Sequence, residues 1–450
     1  MIPSLQSGWG ILRRLRNAGR VGRYRFHVLM SFLRKKPLFA ISVALFLAGT
    51  IGMGYQHYLG ETVPLPGKGG AYVEGIVGNK NNLDDLIARL TSVGLVLMTS
   101  ERQIVPVLAK EWSISQDGKT YTFVLLSGVD GNEVVTTLKD EELFKTVEFQ
   151  LTDSQTVVAK LKQPFGPFLS LLALPLFPYG PYQIAEEGDN QVVFIANPSF
   201  VLGEPYLEKI TVRMYPDEQS LRRAISQREV SGAVTTESVA GWQRFETTIP
   251  RSIILMLNTD RSVLRDMTAR TRLFGTEQFS EQLQLTLVTT PQLRSYADPV
   301  IEKWTAQNVN ITLKLIEDAT IRDSVIPKRD YDVLIYGVDY GIEPDPFRFW
   351  HSLQATETGL NLAQLKDTTL DAMLEEARQI VDDAQRFARY GEIEKKIDEL
   401  AVRDILKEMT VTYQVSPKIK GVEQPFMVNA ASRYNLVWRW YTNERRELKN

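Results

Sequence analysis

Tyr331–Ser352 reads YDVLIYGVDYGIEPDPFRFWHS: a short apolar run rich in strand-favouring residues, then a stretch mixing acids, aromatics, glycine and proline. Tyr331–Tyr336 predicts a buried strand that stops at Gly337, and the residues after it predict a loop. In open α/β sheets ligands sit beyond the carboxyl ends of the strands, so this corner is the first place to expect a binding site. The residues alone leave an ordinary connecting loop open as the alternative.

The pattern continues on both sides. Upstream, strands are expected at Leu283–Val288 and Ile311–Ile316 with a helix over 292–306 between them, an alternation that argues for parallel strands with right-handed crossovers. Downstream, Thr368 reads as a helix N-cap with Asp371 three residues on. Leu370, Met373, Leu374, Ala377, Ile380 and Val381 then share one apolar face. The pattern runs on through Phe387, Tyr390, Ile393 and Ile397, as one long amphipathic helix or a broken pair. Asn435–Tyr441 (NLVWRWY) reads as a last aromatic strand.

Nearer the front, Ala71–Val77 predicts a strand and Leu83–Leu90 a short helix. Ser113–Leu126 predicts a hairpin turned at Gln116-Asp117-Gly118, and Val147–Gln150 with Thr156–Leu161 a second pair turned at Asp153-Ser154. Pro164–Pro181 is too rich in proline for a long helix. Strands follow at Val192–Ala196 and Ile210–Tyr215, then a helix over 217–227. A β-rich first part, an α/β second part and a last strand returning to the first describe a hinged clamp, whose cleft is a natural ligand site.

At 450 residues the chain calls for two or three domains. A formal net charge of −2 gives no reason to expect nucleic acid as a partner. The absence of Cys removes disulfides, thiolate metal sites, cysteine nucleophiles and a lipid-modified N-terminal Cys. The histidines are His27, His57 and His351; the last lies beside Ser352, too near in sequence to serve as its base, and no HExxH or phosphate-cradling glycine loop occurs. No enzyme, metal or cofactor is expected.

The front end is different. Arg13, Arg14, Arg16, Arg20, Arg23, Arg25, Arg34, Lys35 and Lys36 precede the apolar run Pro37–Tyr55, and the first acid is Glu61. A run of roughly 20 apolar residues spans a bilayer, and clustered positives hold the N-terminus inside. One N-terminal transmembrane signal-anchor is therefore expected, with a cleaved signal peptide as the competing reading. Val63–Gly70 (VPLPGKGG) reads as a tether.

Several segments, in order, resemble the family 5 extracellular solute-binding proteins, the oligopeptide/dipeptide-binding group of ABC importers. Gly69–Gly75 looks like the family's opening strand. Ile104–Trp112 (IVPVLAKEW) followed by Asp117–Phe123 (DGKTYTF) is similar to its Pro-x-Leu-Ala-x-x-Trp run and Asp-Gly-Lys-x-Tyr-x-Phe hairpin. Tyr179–Tyr182, Asn197-Pro198, Gly203–Leu207 and Leu257-Asn258-Thr259 continue the likeness. Pro344-Asp345-Pro346, Trp350-His351-Ser352, Gly359, Asn361, Asp371 and Glu375–Ala377 match its C-terminal lobe.

The resemblance implies an α/β, two-lobed periplasmic-binding-protein-like (class II) clamp with mixed sheets. Its parts would be a basic segment 1–36, a transmembrane helix 37–55 and a linker 56–68. Lobe I would take 69–255 and 416–450, with a reduced β-rich subdomain at about 86–176, and lobe II 256–415. Hinges would lie near Leu255–Asn258 and Val415–Lys418. The implied function is capture of a peptide or similar small polar solute for an ABC transporter permease.

This chain departs from the pattern in three places. The loop and helix that usually follow the Tyr121–Leu125 hairpin are reduced to Ser127–Lys145, and the helical region after the hinge to Asp266–Gln282. The family's Trp after the position of Gly337 is Val338 here, with Asp339, Tyr340 and Glu343 as substitutes.

A peptide needs donors, acceptors and aromatic walls. Asp339, Tyr340 and Glu343 supply these, Asn258 and Asn361 could pair with backbone, and Thr289 and Thr290 end a neighbouring strand at the same sheet edge. Each could equally be an ordinary loop or cap contact. Trp112 and Trp350 read as core. The trimmed pocket motivates a second reading, a receptor or protein-interaction module without transport.

Overall fold

The computed structural model describes residues 37–80 and 83–449. The basic run from Arg13 to Lys36 and His27 lie outside the described residues. The chain divides into two units, one of residues up to Pro66 with those from Glu444 on, the other Gly67–Asn443.

In the first unit, Pro37–Glu61 forms one helix, α1, with Leu38, Ile41, Leu45, Phe46, Ile51 and Met53 exposed. Counted over the described residues alone, no helix is long and apolar enough to cross a membrane. The stretch expected as a tether is instead strand β1 (Thr62–Gly67), paired with β18 (Asn443–Leu448). The Arg446 guanidinium donates to Thr62 Oγ1 at 2.8 Å and to the Leu59 and Thr62 carbonyls. A strand pairs through its backbone, so the prolines at 64 and 66 did not exclude an edge position.

The second unit is built around one ten-stranded sheet. From one edge its first half holds β15 (Val309–Leu315), β14 (Leu283–Thr289) and β16 (Val333–Asp339). Then come the long strands β13 (Gln243–Leu257) and β17 (Arg403–Val415), followed by β12 (Gly232–Val234), β2 (Ala71–Val77), β11 (Lys209–Tyr215), β10 (Gln191–Ala196) and β9 (Tyr182–Glu187). β14 runs parallel to both β15 and β16, as the strand–helix–strand pattern predicts, while β13 and β17 are antiparallel.

These two strands were not expected as long elements. Ser252–Leu257 is buried throughout, whereas Gln243–Thr248 is half-exposed to exposed, so no single alternation marks the strand. Their ladder shifts register between Thr248 and Ser252 and again between Ile253 and Ile254. Extra residues at such shifts bend a strand.

The small subdomain is a second, antiparallel sheet of order β5 (Ala109–Ile114), β6 (Thr120–Leu125), β8 (Thr156–Lys160), β7 (Glu148–Asp153). Tyr121, Phe123 and Leu125 alternate inward as expected and meet Phe144, Phe149 and Phe168 in an aromatic core. The reduced segment after the hairpin still forms a helix, Gly131–Asp140, capped by the Asp130 side chain accepting from Asn132 N–H. A separate short hairpin, β3 (Val96–Met98) with β4 (Ile104–Pro106), precedes it.

Three local expectations are corrected. β16 does not stop at Gly337: Gly337 and Asp339 pair with Ile253 and Arg251, so the long neighbour carries the strand past the glycine. Asn435–Tyr441 is not a strand. Ala430–Arg439 is a 3₁₀ segment whose Asn429–Ser432 capping box starts it, and the last strand is the polar β18. The cap before Thr368–Gln379 (α2) is Asp367, which accepts from Leu370 N–H, and the helix breaks before Asp383–Glu399 (α3) because Asp382 caps a new start.

The returning C-terminal segment is pinned by a buried charge cluster. Arg433 donates to Glu74 Oε1 at 2.8 Å, Tyr72 OH bonds the other Glu74 oxygen, and Tyr72 and Tyr413 hydroxyls lie 2.8 Å apart. Breaking a buried pair from one side costs about 3–5 kcal/mol, because the remaining charge is left without a partner. Arg433→Met is expected to lower the full chain's unfolding free energy by about that amount, and Glu74→Leu with Arg433→Met to recover much of it, read from urea denaturation midpoints.

Candidate ligand cleft

The corner after β16 is shaped by a turn. Asp339 Oδ1 accepts from Gly341 N–H at 2.9 Å, and Gly341 sits at φ +71°, a left-handed conformation that favours glycine. Asp339 is exposed and pairs with Arg251 on β13 at 3.2 Å. Gly337, two residues before it, is exposed, and a Cβ there would meet nothing within 4 Å. Gly337, Asp339 and Arg251 therefore make an open, charged corner.

The next residues turn inward. Tyr340 donates its backbone N–H to Pro250 O at 2.8 Å and sets its ring edge to Phe349, with centroids 5.1 Å apart. Burial pushes the Tyr340 phenol up to about 12, against the pull of Arg403. Ile342 joins the apolar core of the small subdomain. Glu343 is buried and accepts from Arg386 Nε at 2.9 Å and Tyr390 OH at 3.0 Å. Arg386 is wholly buried; burial opposes its charge, but Glu343 and then Asp383 outweigh burial and raise its pKa. Asp345 pairs with Arg378 at 2.7 Å, yet burial raises its carboxyl above the usual range despite Arg378.

The other expected site residues are occupied by the fold. The Asn258 amide donates to the carbonyls of Arg329 and Tyr331, and that of Asn361 to those of Trp350, His351 and Leu365. Thr289 Oγ1 donates to Ile335 O at 2.9 Å, and Thr290 is buried at the start of a 3₁₀ turn. Asn258 lies beyond the end of β13 that pairs with Val333, the opposite end of β16 from Asp339. The structure keeps Asp339, Tyr340 and Glu343 together at the end of β16 and leaves Asn258 beyond its opposite end.

What sequence reasoning missed is how Gly166, Phe165 and Arg102 meet α2 and α3. Gly166 N–H donates to Arg378 O at 2.7 Å. The Arg378 guanidinium lies 3.8 Å from the Phe347 ring centroid and 5.4 Å from that of Phe165. Arg102, at the β3–β4 tip, sits 5.0 Å from the Phe387 centroid and 4.9 Å from that of Phe426. Phe347 aside, these partners are hundreds of positions apart, and no local pattern pairs them.

No protein-family profile matches the sequence. The chain is 28% identical over 193 residues to the probable deoxycholate-binding periplasmic protein YgiS of Escherichia coli, a match covering 34% of this chain and 36% of that protein. It thus spans about a third of the length of that curated relative. Among solved structures, the ABC transporter substrate-binding protein CtaP of Listeria monocytogenes superposes with a TM-score of 0.70 at 16% identity, covering 84% of this chain and 100% of that one. The oligopeptide-binding protein AppA of Bacillus subtilis, in complex with a nonapeptide, gives a TM-score of 0.65 at 14% identity over 84% of this chain and 99% of that one. Relatives and structural neighbours alike are family 5 ABC solute-binding proteins, the family the sequence resembles. The two-lobed periplasmic-binding-protein fold is theirs.

In this fold the elbow between α2 and α3 rests on Gly166, where a Cβ would stand 2.0 Å from Ile380 O and 2.9 Å from Arg386 Cδ. Gly166→Ala is expected to push the elbow off the small subdomain at a cost of about 1–3 kcal/mol. Hydrogen exchange should speed up in residues 378–383 while the β13–β17 ladder keeps its protection.

Proposed function

We propose that this chain is an extracytoplasmic solute-binding protein for an ABC importer, held at the membrane through α1, and that it takes peptides or similar small polar solutes. Lobe I is taken as 69–255 with 416–450, and lobe II as 256–415. The observation that carries the reading is the open corner at Gly337, where Asp339 and Arg251 offer a carboxylate and a guanidinium side by side. A zwitterionic peptide has the complementary pair at its two ends, and Arg–carboxylate pairs are among the stronger polar contacts. Tyr340, behind them, supplies an aromatic wall.

The fold's agreement with nearly the full length of its structural neighbours supports this reading, as does the nonapeptide held by AppA. The anchor is supported by the basic residues before Pro37 and by the exposed apolar side chains of α1. With such a tether, carbonate extraction should leave the chain in the membrane pellet.

A specific observation favours the second reading, an interaction module without transport. Glu343 and Asp345 already have guanidinium partners, and Gly166 and Arg102 make direct contacts with Arg378 and Phe387.

Thermal unfolding of the full chain with a mixed library of short peptides separates the two. A ligand at a hundred times its Kd stabilises the folded state by about 2.7 kcal/mol, so a solute-binding protein shows a clear rise in Tm. Asp339→Ala with Arg251→Ala should abolish the rise while leaving the ligand-free Tm within a few degrees, since both side chains are exposed. No rise with any peptide, together with capture of a membrane protein other than a permease, overturns the transport reading.

A further inference from the structure

The seam between the small subdomain and lobe II holds a cavity of about 440 Å³ that the corner at Asp339 does not share. Phe144 and Phe168 form its floor, edge to face with centroids 5.9 Å apart, and both belong to the subdomain core. Val147 lines the wall and Leu143, 53% exposed, the mouth. Two cations complete the lining, Lys162 from the small subdomain and Arg378 from α2, and among the described residues no acid joins them.

Lys162 is exposed and makes no hydrogen bond or ion pair with the described residues. Arg378 directs Nε and Nη2 to Asp345, each at 2.7 Å, which leaves Nη1 without a bond to the described residues. An aromatic floor with unspent cationic donors is the complement of an apolar body ending in an anion. The volume lies within the range of small-molecule pockets, about 300–1,000 Å³.

We propose that this cavity is a second ligand site and that it takes a medium-chain fatty carboxylate. The tail lies against Phe144, Val147 and Phe168, and the carboxylate meets Lys162 and Arg378. Because Arg378 comes from lobe II and the floor from the small subdomain, an occupant bridges the two and holds the seam shut. The site stands independently of the solute corner, whichever ligand that corner takes.

Titration calorimetry of the full chain with decanoate, decanol and decylammonium tests the assignment, with the Leu143 and Val147 methyl resonances reporting location. Decanoate should bind at least tenfold more tightly than decanol, decylammonium should not bind, and decanoate should shift both methyls. Lys162→Glu should weaken decanoate about tenfold through loss of a charge-assisted contact. Leu143→Asp should weaken it similarly; both residues are exposed, so the fold is retained. The proposal is overturned by equal binding of the three probes, by unchanged decanoate affinity in both variants, or by methyl shifts confined to other regions. Tighter binding of acetyl-Leu-Phe, which also ends in a carboxylate beside an apolar group, overturns the fatty assignment in favour of a peptide C-terminus.

Discussion

The antiparallel ladder between β13 and β17 is the constraint on which the rest of the second unit depends. The strands are 15 and 13 residues long and run from Gln243↔Val415 at one end to Met256↔Arg403 at the other. The first end is sealed into lobe I through β12, which pairs with both β17 and β2. The second is sealed into lobe II through β16, which pairs with β13. Between them the ladder slips register and its side chains reach solvent, so it is weakest in packing at its middle.

Charge is spent mainly on closing this frame. Glu343 with Arg386, Asp345 with Arg378, and Glu74 with Arg433 all hold buried or largely buried carboxylates against guanidinium groups. Such pairs contribute little net stability because desolvation offsets their attraction, but each is costly to break from one side. They fix which surfaces can meet. Arg386 ties the β16 loop to α3, Arg378 ties that loop to α2 and to Phe165 of the small subdomain, and Arg433 ties the C-terminal segment to β2. By contrast, Asp339 and Arg251 pair with each other at an exposed corner, and Lys162 is exposed without a hydrogen bond or ion pair to the described residues.

The two candidate sites differ in how they are coupled to the lobes. The solute corner rises from the hinge strands themselves, since Arg251 lies within the register slip of β13. The apolar cavity lies at the far contact, where α2 touches the small subdomain.

The sequence alone determined the elements whose side chains alternate or repeat locally. The hairpin at Tyr121–Leu125 and the amphipathic pair α2–α3 were legible because each buries a regular face, and the parallel strands β14–β16 because they are short apolar runs around a helical stretch. The family resemblance added the two-lobed plan. Tertiary structure decided the rest. It extended β16 past Gly337 through pairing with β13, turned NLVWRWY into a 3₁₀ segment whose Trp440 packs edge-on to Tyr72, and made a strand of the proline-bearing tether. It also decided which acids are buried. Glu343 and Asp339 look equivalent four residues apart, yet one meets Arg386 in the core and the other stays at an open corner. Local patterning reports which face of an element is apolar; which charge will meet it from a segment far along the chain is set only when the lobes pack.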